Sequence, residues 1–446
     1  MALSIPSSGM TAGSAPGQSL EWNGFIWVPR MSAGQSWPEV AYAGKTHYRT
    51  DRDIAYTRNS SGAWVPVGSF SGMNIFVDPE NGTDDADHGF GTGSNAFASI
   101  QYAVDSIPGV LNGDVLVNLS NATFTEDVAL GGKYFTGPYT LTVRGEQAIE
   151  LPETVATGGT SGNADSQGTL VKTGAGWTAN RFQNMWVRFT DDTPTNALRG
   201  QEYLIDTNTS DTLTICNTFQ IGMRGTTAAT PVNGEKFSIY KEGTKWGMGG
   251  SGQAYPIWVK PYQANVVFHR IGFRETVLAP PSYFIVCDVG SNVVMQACSD
   301  VLTTRILNIY AYTATLMLKD CYVLTDMSGG RGVSVLVGST VDIEGTKVRG
   351  NGTAGSSWAV FCQQNATVRV LSGIFENCNR AFNMRFGGIG SFVGSPAVQG
   401  KPRIRNNSTG IFADTGAAFG VTSQIIFSGN TTDKNPSGAS DPAYID

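Results

Sequence analysis

Between Ala264 and Asp433 one pattern returns about every 25 residues, a period that points to stacked coils of a solenoid. Each unit has an apolar alternating run, a small residue or cysteine two or three positions on, then Asn, Gly or Asp. Phe268, Met295, Leu318, Ile343 and Val370 align as one position, with Val266, Val293, Leu316, Val341 and Val368 two residues earlier. Side chains alternate across a strand, so all ten belong to one inward face. Three residues after the anchor the column reads Ile271, Cys298, Cys321, Thr346 and Gly373; five after, it reads Phe273, Asp300, Val323, Val348 and Phe375. Asp300 is the one polar residue in that last column. Helical solenoids need apolar residues at three-and-four spacing over a dozen positions. These runs are short, rich in Val, Ile, Thr and Phe, and punctuated by Gly and Asn. The expected fold is all-β, a right-handed parallel β-helix.

Composition agrees and narrows the function. With 55 glycines in 446 residues and 15% charged residues, the chain is turn-rich and long enough for a large core. A net charge of -6 with scattered Lys and Arg gives no footprint for nucleic acid. No run approaches the roughly 18 apolar residues of a membrane span. Residues 1–13 lack the basic and apolar regions of a signal peptide, so cytoplasmic folding with release by lysis is expected. The six cysteines have no metal spacing. Stacked free thiols are expected, with a Cys298–Cys321 disulfide as the alternative because neighbouring strands lie about 4.8 Å apart. No metal or cofactor is expected.

The chain divides into residues 1–72, 73–151, 152–241, 242–433 and a polar tail, 434–446. The first segment carries two aromatic hairpin patterns, residues 21–29 and 48–67. In the second segment a strand at Ile75–Val77 leads into an acidic glycine loop. There follows an amphipathic helix whose apolar face is Phe97, Ile100, Ala103, Val104 and Ile107, a cap for the first coil. Asp84, Asp85 and Asp87 in the loop read as a solvated turn, or alternatively as calcium ligands. Residues 152–241 alternate strands with Asn-Thr and Asp-Thr turns, the pattern of a small antiparallel insert.

Two of these stretches resemble known families. Residues 48–67, from Tyr48 and Asp51 through Gly62 to Trp64 and Val67, resemble hairpins in the anchoring regions of tailed-phage fibre proteins. The Val77-Asp78-Pro79 strand end, the Gly82-Thr83-Asp84-Asp85 loop and the Phe97, Ile100, Gln101 and Ala103 helix resemble the N-terminal start of pectate-lyase-like β-helix proteins, tailspikes among them. The resemblance implies a virion fibre or spike: residues 1–72 dock on other tail or baseplate proteins, the chain assembles as a trimer, and the β-helix meets a host-surface glycan.

Three functions follow as expectations. The first is an adhesin, with Trp246, Trp258, Tyr262, Tyr283, Tyr310 and Tyr312 available to stack on sugar rings. The second is a polysaccharide hydrolase or lyase, for which Asp288, Asp300 and Asp320 are the candidate acids. The third is an architectural tail component. The three histidines, His47, His88 and His269, have neither triad nor zinc spacing. Asp342 with Arg369, and Lys319 with Glu344, share outward columns and are expected to pair along the stack. Val267, Val294 and Met317 form an outward apolar stripe, the candidate subunit contact.

Overall fold

The computed structural model describes residues 72–437 except 164–165, 220–228, 248–256, 264, 275–283, 301–308, 326–329, 351–356, 393–400, 415 and 421–424, together with strands within residues 20–67 and at 444–445. Its body is a parallel β-solenoid of about ten turns. Each turn visits three sheets in order. Val115–Leu119 lies in the first sheet, Thr123–Thr125 in the second and Val128–Leu130 in the third, and the chain returns to the first at Leu141–Gly145. The first sheet stacks eleven strands, from Met73–Val77 to Tyr444–Ile445; the second and third stack nine each.

The register follows the sequence alignment residue for residue. Val266, Val293, Leu316, Val341 and Val368 pair in succession, as do Phe268, Met295, Leu318, Ile343 and Val370. All ten are buried. A one-residue slip would turn each set outward, so the hydrophobic period itself fixes the stacking. In the second sheet Phe273 pairs with Asp300, and Val323 with Val348 and then Phe375. The backbone of Asp300 therefore keeps the expected column, and its side chain lies outside the described residues. All six cysteines are free and buried.

The helix spans Ile100–Ser106, and its apolar residues join the main core. It packs against Met73–Val77 and Val128–Leu130, across the open end of the first coil. Its start is held by three acceptors. Ser99 Oγ accepts from Tyr102 N, Glu126 takes the N–H groups of Ile100 and Gln101 at 2.7 and 3.0 Å, and Asp84 takes those of Ala98 and Ser99 at 2.8 and 3.0 Å. Asp85 meets His88 Nδ1 at 2.5 Å. Asp84 thus spends its carboxylate on the helix start, and Asp85 on the loop backbone and His88.

After Gly145 the chain leaves the stack and builds a seven-stranded sheet, from Gln147–Val155 to Lys236–Glu242, before resuming the second sheet at Lys245–Gly247. Every pairing in this insert is antiparallel. It has its own core, in which Phe182, Phe189, Tyr203, Phe219 and Phe237 are buried. Upstream, Leu20–Trp22 pairs antiparallel with Trp27–Pro29, and Thr46–Arg49, Ile54–Arg58 and Trp64–Val67 form a meander. The rest of the anchoring segment expected at residues 1–72 lies largely outside the described residues.

Candidate functional site

The corner between the first and second sheets turns through left-handed residues stacked on one another. Arg270, Ala297, Asp320 and Gly345 have φ of 59°, 50°, 50° and 58°. Their stacking is fixed by backbone bonds from Arg270, Ala297 and Asp320 N–H groups to the carbonyls of Gln296, Lys319 and Glu344. Asp and Gly tolerate this conformation better than other residues, which is a sufficient reason for Asp320 and Gly345 here.

The insert lies over this corner and over the outer face of the second sheet. Trp186, Leu204 and Cys216 of the insert pack on Ala297 and Ile374, and Trp186 Nε1 donates to the Asp320 carbonyl at 2.8 Å. Two buried charge networks flank that contact. In one, Glu202 binds Arg188 and Arg270, with His269 Nε2 3.5 Å away. Burial alone would raise its pKa, but His269, Arg188 and Arg270 hold it down to about 2. In the other, Asp206 Oδ1 meets Lys347 Nζ at 2.9 Å and Arg405 Nη2 at 2.8 Å, while Glu376 meets the same two cations at 3.3 and 2.6 Å. The expected pairs along the stack are present: Lys319–Glu344 at 3.2 Å, and a bidentate Arg369–Asp342 at 2.6 and 2.8 Å.

These contacts decide what the sequence-derived acids do. Asp320 is 2% exposed, and Oδ1 has no hydrogen-bond partner. Burial pushes its pKa up to about 8, Lys319 opposing and Glu344 adding to the rise. Asp288 sits at a different corner, where the third sheet returns to the first, and accepts from Trp258 Nε1 at 3.2 Å and from Val289 N at 2.8 Å. Asp288 and Asp320 therefore occupy separate corners of the coil and do not converge.

The aromatic candidates also separate. Trp246 is a correction: it is fully buried in the solenoid core against Phe268 and Phe273, and its Nε1 donates to the Glu126 carbonyl at 3.0 Å. Alternation in the short strand Lys245–Gly247 turns it inward, so no sugar reaches it. Trp258 is half-buried on the outer face of the third sheet, and Tyr262 is 73% exposed at the next corner with φ of 60°. Of the outward stripe, Val267 and Val294 are half-buried, whereas Met317 is only 8% exposed and already covered within its own chain.

Trp258 heads a column that alignment of the first sheet does not expose. Successive pairings along the outer face of the third sheet read Trp258, Val286, Tyr310, Ser334, Phe361, Asn383 and Phe412. An aromatic ring stands on every second coil. At about 4.8 Å per strand the rings recur roughly every 10 Å. Tyr312 stacks beside Tyr310, with ring centroids 6.2 Å apart and planes 7° apart, and Trp358 stacks on Phe361 at 5.1 Å. Guanidinium groups lie on these rings: Arg331 is 4.0 Å from Phe361, Arg380 is 3.5 Å from Phe412, and Arg385 is 5.7 Å from Trp358. Arg380 and Arg385 both donate to Asn383 Oδ1, at 3.0 and 3.3 Å. Tyr310, Arg331, Trp358, Arg380 and Arg385 are half-buried and Tyr312 is 36% exposed, whereas Phe361 and Phe412 are buried beneath their arginines. The face offers flat apolar surfaces rimmed by fixed hydrogen-bond donors, the combination that holds a ring bearing hydroxyl groups.

No protein-family model and no curated protein matches this chain. Among solved structures it is similar to the tailspike gp61 of Pseudomonas phage phi297, at 11% identity over 75% of this chain and 67% of that one, with a TM-score of 0.19. It is also similar to the tailspike gp49 of Pseudomonas phage LKA1, at 9% identity over 86% and 70%, with a TM-score of 0.15. At these scores the likeness carries no argument about the site.

Proposed function

We propose that this chain is a virion tail-fibre or tailspike component that adsorbs to a host-surface glycan through the outer face of its third sheet. The observation that carries the reading is the row of accessible rings, Trp258, Tyr310, Tyr312 and Trp358, with half-buried Arg331 and Arg385 beside Trp358. A stacked sugar ring presents C–H groups to each aromatic face, and the neighbouring guanidinium groups donate to its oxygens. The resemblance of the solenoid start to tailspikes supports the setting. In that setting residues 1–72 dock on tail or baseplate proteins, and three copies associate along the first sheet, where Val267 and Val294 remain half-exposed.

Retention of the purified protein on whole cells of candidate hosts tests this reading. Trp358→Ala should reduce retention at least tenfold with the melting temperature unchanged; full retention by that variant would sink the third-sheet face. The same incubations, followed for new reducing ends and for absorbance near 235 nm, test the depolymerase alternative. Release of oligosaccharides would transfer preference to it. Light scattering on the pure protein tests assembly, with three times the 47.4 kDa chain mass expected and a single-chain mass overturning the trimer.

A further inference from the structure

Resting on the reading of the third sheet as a glycan face, we infer that the glycan it takes is acidic, and that Arg380 and Arg385 bind its anionic group. Both guanidinium groups converge on Asn383 Oδ1 from the same side of the sheet, at 3.0 and 3.3 Å. Neither forms an ion pair with a carboxylate among the described residues. Asp414 is the acid whose field reaches Arg380 and partly offsets the repulsion from Arg385. Several other arginines differ. Arg188, Arg270, Arg369 and Arg405 each close on a carboxylate within the chain, and the chain as a whole carries a net charge of -6. Two half-buried cations held side by side repel each other, and an anion from outside is the missing neutralising group.

Asn383 sets the two guanidinium groups in place: it is fully buried, and its Oδ1 accepts from both arginines. Phe412 beneath Arg380 and Trp358 beside Arg385 fix the guanidinium planes, so the donors are set before a ligand arrives. The chemistry is that of a carboxylate, sulfate or phosphate substituent on a sugar whose ring lies against Trp358.

The experiment is a binding series on immobilised saccharides: uronic-acid, sialylated, sulfated and phosphorylated members, each beside a neutral counterpart made by carboxyl reduction or removal of the ester. The expected result is tenfold or greater preference for at least one acidic member over its counterpart, weakening with added salt. Arg385→Gln and Arg380→Gln should abolish that preference while leaving the melting temperature and the residual binding of the neutral form in place. Because the ligand side is also altered, a variant that fails to fold does not spoil the test. Binding of neutral and acidic members alike, lost in Trp358→Ala, would overturn the acidic inference and leave the adhesin reading standing. Binding of none of them would overturn the acidic inference, with whole-cell retention deciding the adhesin reading separately.

Discussion

At the scale of single residues, Asp320 shows how position overrides chemistry. The sequence offers it as a candidate catalytic acid; the fold makes it a left-handed corner residue sealed beneath Trp186. With its folded pKa near 8 against an ordinary 3.8, the native state keeps a proton that the unfolded chain releases between about pH 4 and pH 8. Stability from this group is therefore whole below pH 4 and lost as pH rises towards 8. Asp320→Asn keeps the backbone preference and removes the titration. Its melting temperature should match the parent at pH 4 and exceed it at pH 8, by a free energy on the order of 5 kcal/mol. Equal pH profiles for parent and variant would show that the carboxyl is not buried as described. No local motif marks Asp320 as buried, because the residues that cover it come from the insert, more than a hundred positions away in the chain.

At the scale of elements, the capping helix and the docking of the insert carry separate predictions. The helix is only seven residues long, too short to persist without its caps and its buried face. Glu126→Ala strips the acceptor from two N–H groups of its first turn and should cost about 1–2 kcal/mol, read as a lower midpoint in urea; Glu126→Gln should recover part of it. The helix face was legible from Phe97, Ile100, Ala103, Val104 and Ile107, whereas Glu126, in the next turn of the coil, gave no sign of being its cap. The insert's strands were legible in the same way, from alternation and turn residues. Its docking was not. Asp206→Ala leaves Lys347 fully buried with Glu376 alone at 3.3 Å, so a loss of about 3–5 kcal/mol and protease sensitivity within residues 147–242 are expected. An unchanged melting curve would mean that the network does not hold the insert.

At the scale of the whole molecule, the stack converts a short repeat into long parallel columns of side chains. One column becomes the core, another the line of buried charges under the insert, and a third the aromatic face proposed to meet a glycan. Because each coil rests on its neighbours, damage should spread along the stack. Leu318→Ala, at the centre of the first sheet, opens a cavity touching the coils on either side. It should cost about 2–5 kcal/mol and lower the melting temperature of the entire solenoid in one transition. Separate melting of the two halves would contradict a continuous core.

The sequence by itself determined the fold class, the register of the first sheet, the free thiols and the ion pairs along the stack, since each depends on residues one coil apart repeated at a fixed period. It did not determine which tryptophan faces outward. Trp246 and Trp258 both stand at the middle of three-residue strands, and only closure of the coil turns one into the core and the other towards solvent. It offered Trp258, Tyr310 and Tyr312 for stacking, but not the column they share or the arginines beside it. Those residues fall into columns only when the strands of the third sheet are set in register, and the linking turns vary in length from one coil to the next. Contacts between distant parts of the chain, such as Asp206 with Arg405, follow from the tertiary structure alone, because no local period encodes them.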